Sequence, residues 1–506
     1  MRGVRTLGVL LSVIALVTVV DQARADGSSA TPLPHATGPL GVTSASHPFN
    51  STLFNRTPRD LRDDDYVEEE YLVDGTANVY DWLPDGSLNS IADGPYESRI
   101  LVRRPVRRSH FSGNVVVEML NPTSLHDLDI VWAAAQEHFI RNGDIWVGVT
   151  VAPSSITALK TFDGGRYSTM SMASPVAPRC TATTWPGATA ETESGFAWDI
   201  VSQVGALLKS DAADNPLRRF DVEHQLLTGF SRTAGFQTTY INAIAPHVTL
   251  AHGRPIYDGH LPLAGANFPV PINQCAPRPA PGSSRWVIQP PGRVPVIALQ
   301  TLSDFYALGG FSSRRPDSTG AAGNYRLYEV AGAGHIWATQ VAYAPGAADL
   351  VRSGFSADWW DPYCDRPVTT FPLEYAINGA FANLTRWVER GKPAPIAERI
   401  AVTDPASPSA TVVRDAYGNA VGGLRTPAID VPRSAYFGTT PGTGTCQVLW
   451  GHEEPFSDAQ LAALYPRPDD YARALKRSAT SLEHDRWITK EDARALVEHA
   501  VFASRG

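Results

Sequence analysis

Six short runs of apolar, β-prone residues recur along this chain with helix-patterned segments between them, and that alternation narrows the possible folds more than any other feature. The runs are SRILVRRP (98–105), NVVVEML (114–120), IWVGVTVA (145–152), HQLLTGF (224–230), PVIALQT (295–301) and YRLYEVAG (325–332). The inner ones are nearly unbroken rather than strictly alternating, the pattern of strands covered on both faces. Helical periodicity marks 128–143, 196–211 and 381–391. Strand and helix in turn predict an α/β fold: a mostly parallel sheet with helices on both faces.

Within this frame the stretch QLLTGFSRTAG, Gln225 to Gly235, poses a specific question, because a buried strand there ends on a serine among small residues with a helix directly behind it. A sharp strand-to-helix turn at Ser231 explains it. The side chains two before and two after such an elbow must be small, and they are Gly229 and Thr233. Ser231 then projects into the crevice at the carboxyl ends of the strands, where open α/β sheets bind ligands. The commoner pattern is G-x-S-x-G, and an ordinary helix-capping serine would look similar in isolation.

A serine hydroxyl needs a neutral imidazole to take its proton and a carboxylate to hold that imidazole. On hydrolase sheets the order is serine, acid, histidine. Downstream of Ser231, the strand of PVIALQTLSDFY ends on Asp304, and YRLYEVAGAGHIW runs through a glycine-rich loop into His335. Asp258, in PIYDGH, is the competing acid. For the oxyanion, the expected donors are the backbone N–H of Arg232 and a second N–H from EMLNPTS, where Asn121 can donate, Pro122 cannot, and Thr123 remains open.

Three connections, about 153–195, 259–293 and 336–371, are too long for turns and are expected to cover a pocket. Cys180, Cys275 and Cys364 fall one in each, and Cys446 lies in the tail. One or two disulfides are expected, with three full pairings open. The covers carry Trp185, Trp198, Tyr306, Trp337, Trp359 and Trp360 in or beside them, as pocket lining or as core.

The ends are read separately. Residues 1–25, MRGVRTLGVLLSVIALVTVVDQARA, have the basic start, apolar stretch and A-x-A site of a signal peptide, so the mature chain is expected to be secreted or periplasmic, with no membrane attachment after cleavage. Residues 26–60 are rich in Ser, Thr, Pro and Gly and are expected to form an extended leader. The acidic run within DLRDDDYVEEEYLVDG is expected to be a solvated strand edge. From 61 to 400 the pattern is that of the α/β domain. From 401 to 506 a turn-rich, then helical, extension follows, with one capping box at Ser457 and Gln460 and another resembling it at Thr489 and Asp492. A net charge of −8 gives no reason to expect nucleic acid as a partner. C-x-x-C, H-E-x-x-H, P-loop and G-x-G-x-x-G motifs are absent, which argues against zinc, redox and nucleotide chemistry.

YVEEEYLVDGTANVY, VVVEMLNPTS, GFSRTAG, VAGAGH, RWVERGKPAP, GNAVGGLRTPAIDVP and the ending LYPRPDDYARAL…ITKEDARALVEHA together resemble the bacterial "alpha/beta hydrolase domain" family. Its nucleophile motif reads G-x-S-Q-S-G, so a small hydroxylated residue such as Thr233 suits it. Here Arg232 replaces the usual Gln and Ala234 the usual Gly. The family's acid loop often reads S-E-T-D, against TLSD here, leaving Asp304 the sole carboxylate. The resemblance implies serine-dependent hydrolysis of a small-molecule ester without a metal or other cofactor. An acyltransferase, a lyase or a non-catalytic binding protein on the same fold are the alternatives, and the quaternary state is not legible.

Overall fold

The computed structural model describes residues 30–503, except 177–179, 181–184, 186, 266–268, 281, 291, 308, 362 and 405–409. The signal peptide expected over 1–25 lies outside these residues, as do the first residues of the leader.

Nine strands form one sheet: β1 (His35–Thr37), β2 (Tyr66–Trp82), β3 (Leu88–Pro105), β4 (Asn114–Met119), β5 (Ile145–Val149), β6 (His224–Phe230), β7 (Gly259–Leu263), β8 (Val296–Thr301) and β9 (Tyr325–Val330). Their order is β1-β2-β3-β5-β4-β6-β7-β8-β9. From β5 to β9 every neighbouring pair is parallel, while β1, β2 and β3 join antiparallel. The mostly parallel sheet predicted from the alternation is therefore present. Every residue of β4, β5, β7, β8 and β9 is buried, which is why strands such as β4 and β5 read as nearly continuous apolar runs.

Alternate residues of each strand serve opposite faces. Val115 and Val117 pack with Trp198, Ile200 and Phe236 in one cluster; Val116 packs with Trp132, Phe139 and Phe381 in another. The first face is covered by α2 (Pro153–Phe162), α3 (Ala197–Leu208) and α4 (Arg232–Thr239), the second by α1 (Ile130–Asn142) and α8 (Leu373–Arg390). Between them in sequence come α5 (Leu302–Ala307), α6 (Ala338–Ala342) and α7 (Ala347–Arg352). Helix α1 stops at Gly143, whose φ of 76° lets its N–H close on the carbonyls of Ile140 and Phe139. A Cβ there would sit 1.9 Å from the His110 carbonyl oxygen, so Gly143 admits no larger residue without backbone movement.

Three expectations are corrected. The segment GHLPL, assigned to a cover, is the inner strand β7; its length and its glycine and proline hid it. The leader is not merely extended: β1 pairs with β2 and Phe49 is buried among aromatic rings. The acidic run is not a solvated edge either. Opposite it on β3 lie arginines, in register Glu68 to Arg103. Fully buried Arg99 holds Glu70 at 2.7 Å and Asp127 at 3.0 Å. Fully buried Arg103 binds Glu68 at 2.8 Å and Asp129 at 2.5 Å and stacks over Trp132 and Trp146. Charges taken out of water must be paired in this way, because an unpaired one costs several kcal/mol. Since Asp127 and Asp129 lie in the connection after β4, the arginines fasten that loop to the β2–β3 hairpin.

The tail contributes α9 (Pro427–Asp430), β10 (Ser434–Phe437), β11 (His452–Pro455), α10 (Asp458–Leu464), α11 (Asp470–His484) and α12 (Lys490–Ala503). Ser457 and Gln460 form the reciprocal capping box, and the Asp492 N–H donates to the Thr489 hydroxyl at 3.1 Å. Val412, Ala420, Leu424, Ile429 and Trp450 join the same apolar cluster as Leu226 and Ile297 of the sheet. Leu424 also pairs with Val330, which covers the outer edge of β9. Disulfides join Cys180 to Cys275 and Cys364 to Cys446. The first links two cover segments, and the second ties the third cover to the tail.

Candidate active site

Ser231 occupies the turn between β6 and α4 at φ 58°, ψ −116°, a backbone region that side-chain-bearing residues rarely adopt. Two contacts make the turn possible. A Cβ on Gly229 would lie 2.9 Å from backbone atoms of Thr233, so only glycine fits there. The Thr233 hydroxyl, in turn, bonds both the N–H and the carbonyl of Phe230 at 3.1 Å. The threonine is thus accommodated where many hydrolases have glycine, because its hydroxyl satisfies the turn it crowds. The Ser231 N–H donates to Leu263 at the end of β7, 2.8 Å away.

His335 arrives from the loop after β9. Its Nε2 lies 2.8 Å from Ser231 Oγ, and its Nδ1 lies 2.8 Å from Asp304 Oδ1. Asp304 is fully buried in the first turn of α5, and its other oxygen accepts from the N–H and hydroxyl of Thr301 at 2.6 and 2.9 Å. A carboxylate only accepts, so Nδ1 carries the proton and Nε2 is left to receive one from the serine. The competing acid, Asp258, lies at the start of β7, at the other end of the sheet, and pairs with Lys209 at 2.6 Å.

The expected second oxyanion donor is corrected. The Asn121 N–H donates to the Leu128 carbonyl at 2.9 Å, and the Thr123 N–H to Asn121 Oδ1 at 2.8 Å, so both are already used. Asn121 instead fixes the site through its side chain: Nδ2 donates to Phe230 O at 2.6 Å, joining this loop to the residue before Ser231. Ser124 follows in the same turn and borders the cavity, and among the described residues its N–H has no acceptor. Arg232 opens helix α4, in the first turn where N–H groups have no intrahelical acceptor.

Sequence reasoning missed the bracing of the loops. The Ser303 hydroxyl accepts from the His335 N–H at 2.7 Å and donates to the Gly438 carbonyl of the tail. Ile336 N–H donates to Leu449 O at 2.9 Å, so the tail also holds the residue after the histidine. Only the position of Ser303 beside Asp304 hinted at this; no local signal marked Gly438 or Leu449.

Ser231 and His335 border a cavity of about 360 Å³. Its walls include Leu128, Ile130, Trp359 and Trp360, together with Leu449 and Trp450 from the tail. Of the aromatic residues read as pocket or core, Trp185, Trp198 and Trp337 are buried in the two clusters, Trp359 borders the cavity, and Trp360 both borders it and belongs to the cluster of Trp337; the Tyr306 side chain lies outside the described residues. Burial sets the ionisation nearby. It pushes the carboxyl of Glu374, which accepts from Trp337 Nε1 at 3.3 Å, up to about 7. It holds His126 down at about 4, against the opposing pull of Asp127. Among the described residues no group of three or more His, Cys, Asp or Glu side chains is arranged to hold a metal, and no helix is long and apolar enough to cross a membrane.

A serine on a strained strand-to-helix turn, linked through histidine to a buried aspartate above a parallel sheet, has the architecture of an α/β-hydrolase. The chain belongs to the "Alpha/beta hydrolase domain" family, whose sequence profile matches residues 36–498 and so includes nearly all of the tail. Comparison with curated proteins gives no match. Among solved structures it is similar to fungal esterases from Rhizomucor miehei, at 11% identity over 65% of this chain and 85% of that one, with a TM-score of 0.32. It is also similar to a carboxylesterase from Lactobacillus plantarum, at 12% identity over 48% and 81% of the two chains, TM-score 0.29. An α/β serine hydrolase without a lid from Xanthomonas campestris matches at 10% identity over 50% and 84%, TM-score 0.24.

Proposed function

We propose that the protein is an exported serine esterase that cleaves small carboxylic esters through an acyl-enzyme on Ser231. The observation that carries this reading is the unbroken relay from Ser231 Oγ through His335 to Asp304, with both links at 2.8 Å. Ser231 Oγ attacks the acyl carbon as His335 Nε2 takes its proton. The oxyanion that forms is met by the N–H groups of Arg232 and Ser124. The ester C–O bond then breaks, and His335 returns the proton to the departing alcohol. Water, deprotonated by the same imidazole, attacks the acyl-enzyme and releases the acid. Asp304 keeps the histidine in the working tautomer and balances its transient charge. Export is supported by the signal-like residues 1–25 and by the two disulfides, which persist in oxidising compartments.

The test combines labelling and turnover. A fluorophosphonate should add to Ser231, and p-nitrophenyl esters should be hydrolysed at a rate that falls at least about 10³-fold in Ser231→Ala. Undiminished turnover in that variant, or label on another residue, rules the reading out. Amino-terminal sequencing of the exported chain should begin at Asp26.

A further inference from the structure

Among the described residues, no Asp, Glu, Lys or Arg side chain lines the cavity beside Ser231. The carboxylates near its wall positions in sequence are engaged elsewhere. Asp127 and Asp129, which flank Leu128, are held by buried Arg99 and Arg103. Asp361, between Trp360 and Tyr363, pairs with Arg56 at 2.7 Å, and exposed Asp358 accepts from the Ser356 hydroxyl. An ion that enters therefore gives up water without meeting a counter-charge, which is strongly unfavourable.

Two wall residues also reach solvent: Trp359 is 41% exposed and Tyr363 64%. Both rings are braced. Trp359 stands edge-on to Phe355 and His126, at 5.3 and 6.2 Å between ring centroids. Tyr363 lies 6.3 Å from the Trp450 ring, and its hydroxyl bonds that of Thr445. A large ring fixed in place at the mouth of a catalytic cavity offers apolar area to an entering molecule and loses little freedom when covered.

We propose that the substrates are uncharged esters whose apolar body fills this cavity and continues over the exposed ring of Trp359, and that a carboxylate or ammonium on that body excludes the ester. This rests on the esterase reading and adds the substrate class to it. The cation is the discriminating case. A net charge of −8 acting at long range disfavours anions, favours cations and is screened by salt. An uncharged cavity disfavours both ions at any ionic strength; a cation finds ring faces there, but no carboxylate.

The test is kcat/KM of the full chain at pH 7, in low and high salt, on two matched series. One comprises methyl esters of 3-arylpropanoic acids and the other acetates of benzyl alcohols, each with a para methyl, carboxylate or aminomethyl group. In the series whose substituted half enters the cavity, the methyl ester should exceed both ionic esters by at least about tenfold at either salt concentration. Trp359→Ala should reduce the preference for the better aryl ester over methyl acetate severalfold, through KM, and Trp359→Phe should retain most of it. If in both series either ionic ester is cleaved as well as the methyl ester, the proposal is overturned; an unchanged preference in Trp359→Ala overturns the role of that ring. If no ester is cleaved and fluorophosphonate leaves Ser231 unmodified, the esterase reading has failed and the proposal falls with it; labelling distinguishes the two failures.

Discussion

Gly334 and Gly451 meet backbone to backbone: a Cβ on Gly334 would lie 2.8 Å from the Gly451 Cα. Gly334 precedes His335, and Gly451 belongs to the tail that also bonds Ile336 and Ser303. The histidine loop is therefore shaped by a segment more than a hundred residues further along the chain. Gly451→Val should displace His335 by a fraction of an ångström to an ångström and lower kcat on a p-nitrophenyl ester about 10²-fold. Far-ultraviolet circular dichroism should stay close to that of the parent. Full activity in a folded Gly451→Val protein would show that the contact does not govern the imidazole.

The Cys364–Cys446 disulfide lies beside two wall residues, Tyr363 and Thr445, whose hydroxyls bond each other at the cavity. Replacing both cysteines by serine releases the third cover from the tail. KM for a bulky aryl ester should rise severalfold, while the rate of Ser231 labelling by a small fluorophosphonate falls much less. In the chain-entropy view, loss of a bridge spanning 82 residues costs on the order of 4 kcal/mol, readable as a lower urea midpoint.

Arg99 has no exposed surface and compensates both Glu70 and Asp127. Removing one partner of a buried pair leaves the other uncompensated, so Arg99→Met should destabilise the fold by about 3–5 kcal/mol. Because Asp127 sits in the loop that carries Asn121 and Ser124, kcat should fall as well. Urea unfolding monitored by tryptophan fluorescence measures the first effect and ester turnover the second.

Stability should decline on both sides of mildly acidic pH. Burial lowers His126 to about 4 and His138 and His260 to about 3, so the stability tied to their neutral form is intact above about pH 6.5 and is lost as pH falls toward those values. Burial raises Glu374 and Asp144 to about 7, so their contribution is complete below about pH 4.5 and fades as pH rises through 7. Calorimetric Tm against pH should show both limbs. His260→Gln should flatten the acid limb, and Glu374→Gln the alkaline one.

The sheet was legible because both of its faces are covered, which forces strands such as Val115–Val117 and Ile145–Val149 to be apolar throughout. The order of strand ends, with the small residues flanking Ser231, pointed to the meeting of Ser231, His335 and Asp304, although Asp258 competed for the acid's place. What stayed hidden depends on contacts between distant segments. No local pattern announces that the Asn121 N–H is spent on Leu128, that Glu70 pairs with buried Arg99, or that GHLPL forms an inner strand of the sheet. The tail's share was invisible for the same reason: Leu449 and Trp450 line the cavity only because the β10–β11 region folds back across the histidine loop.

That fold-back has a consequence for biosynthesis. A nascent chain presents Ser231 and His335 long before Leu449, Trp450 and Gly451 have left the ribosome, so the pocket wall and the brace behind the imidazole arrive last. The cavity beside Ser231 is thereby left open on one side until the segment around Trp450 has been made and folded back.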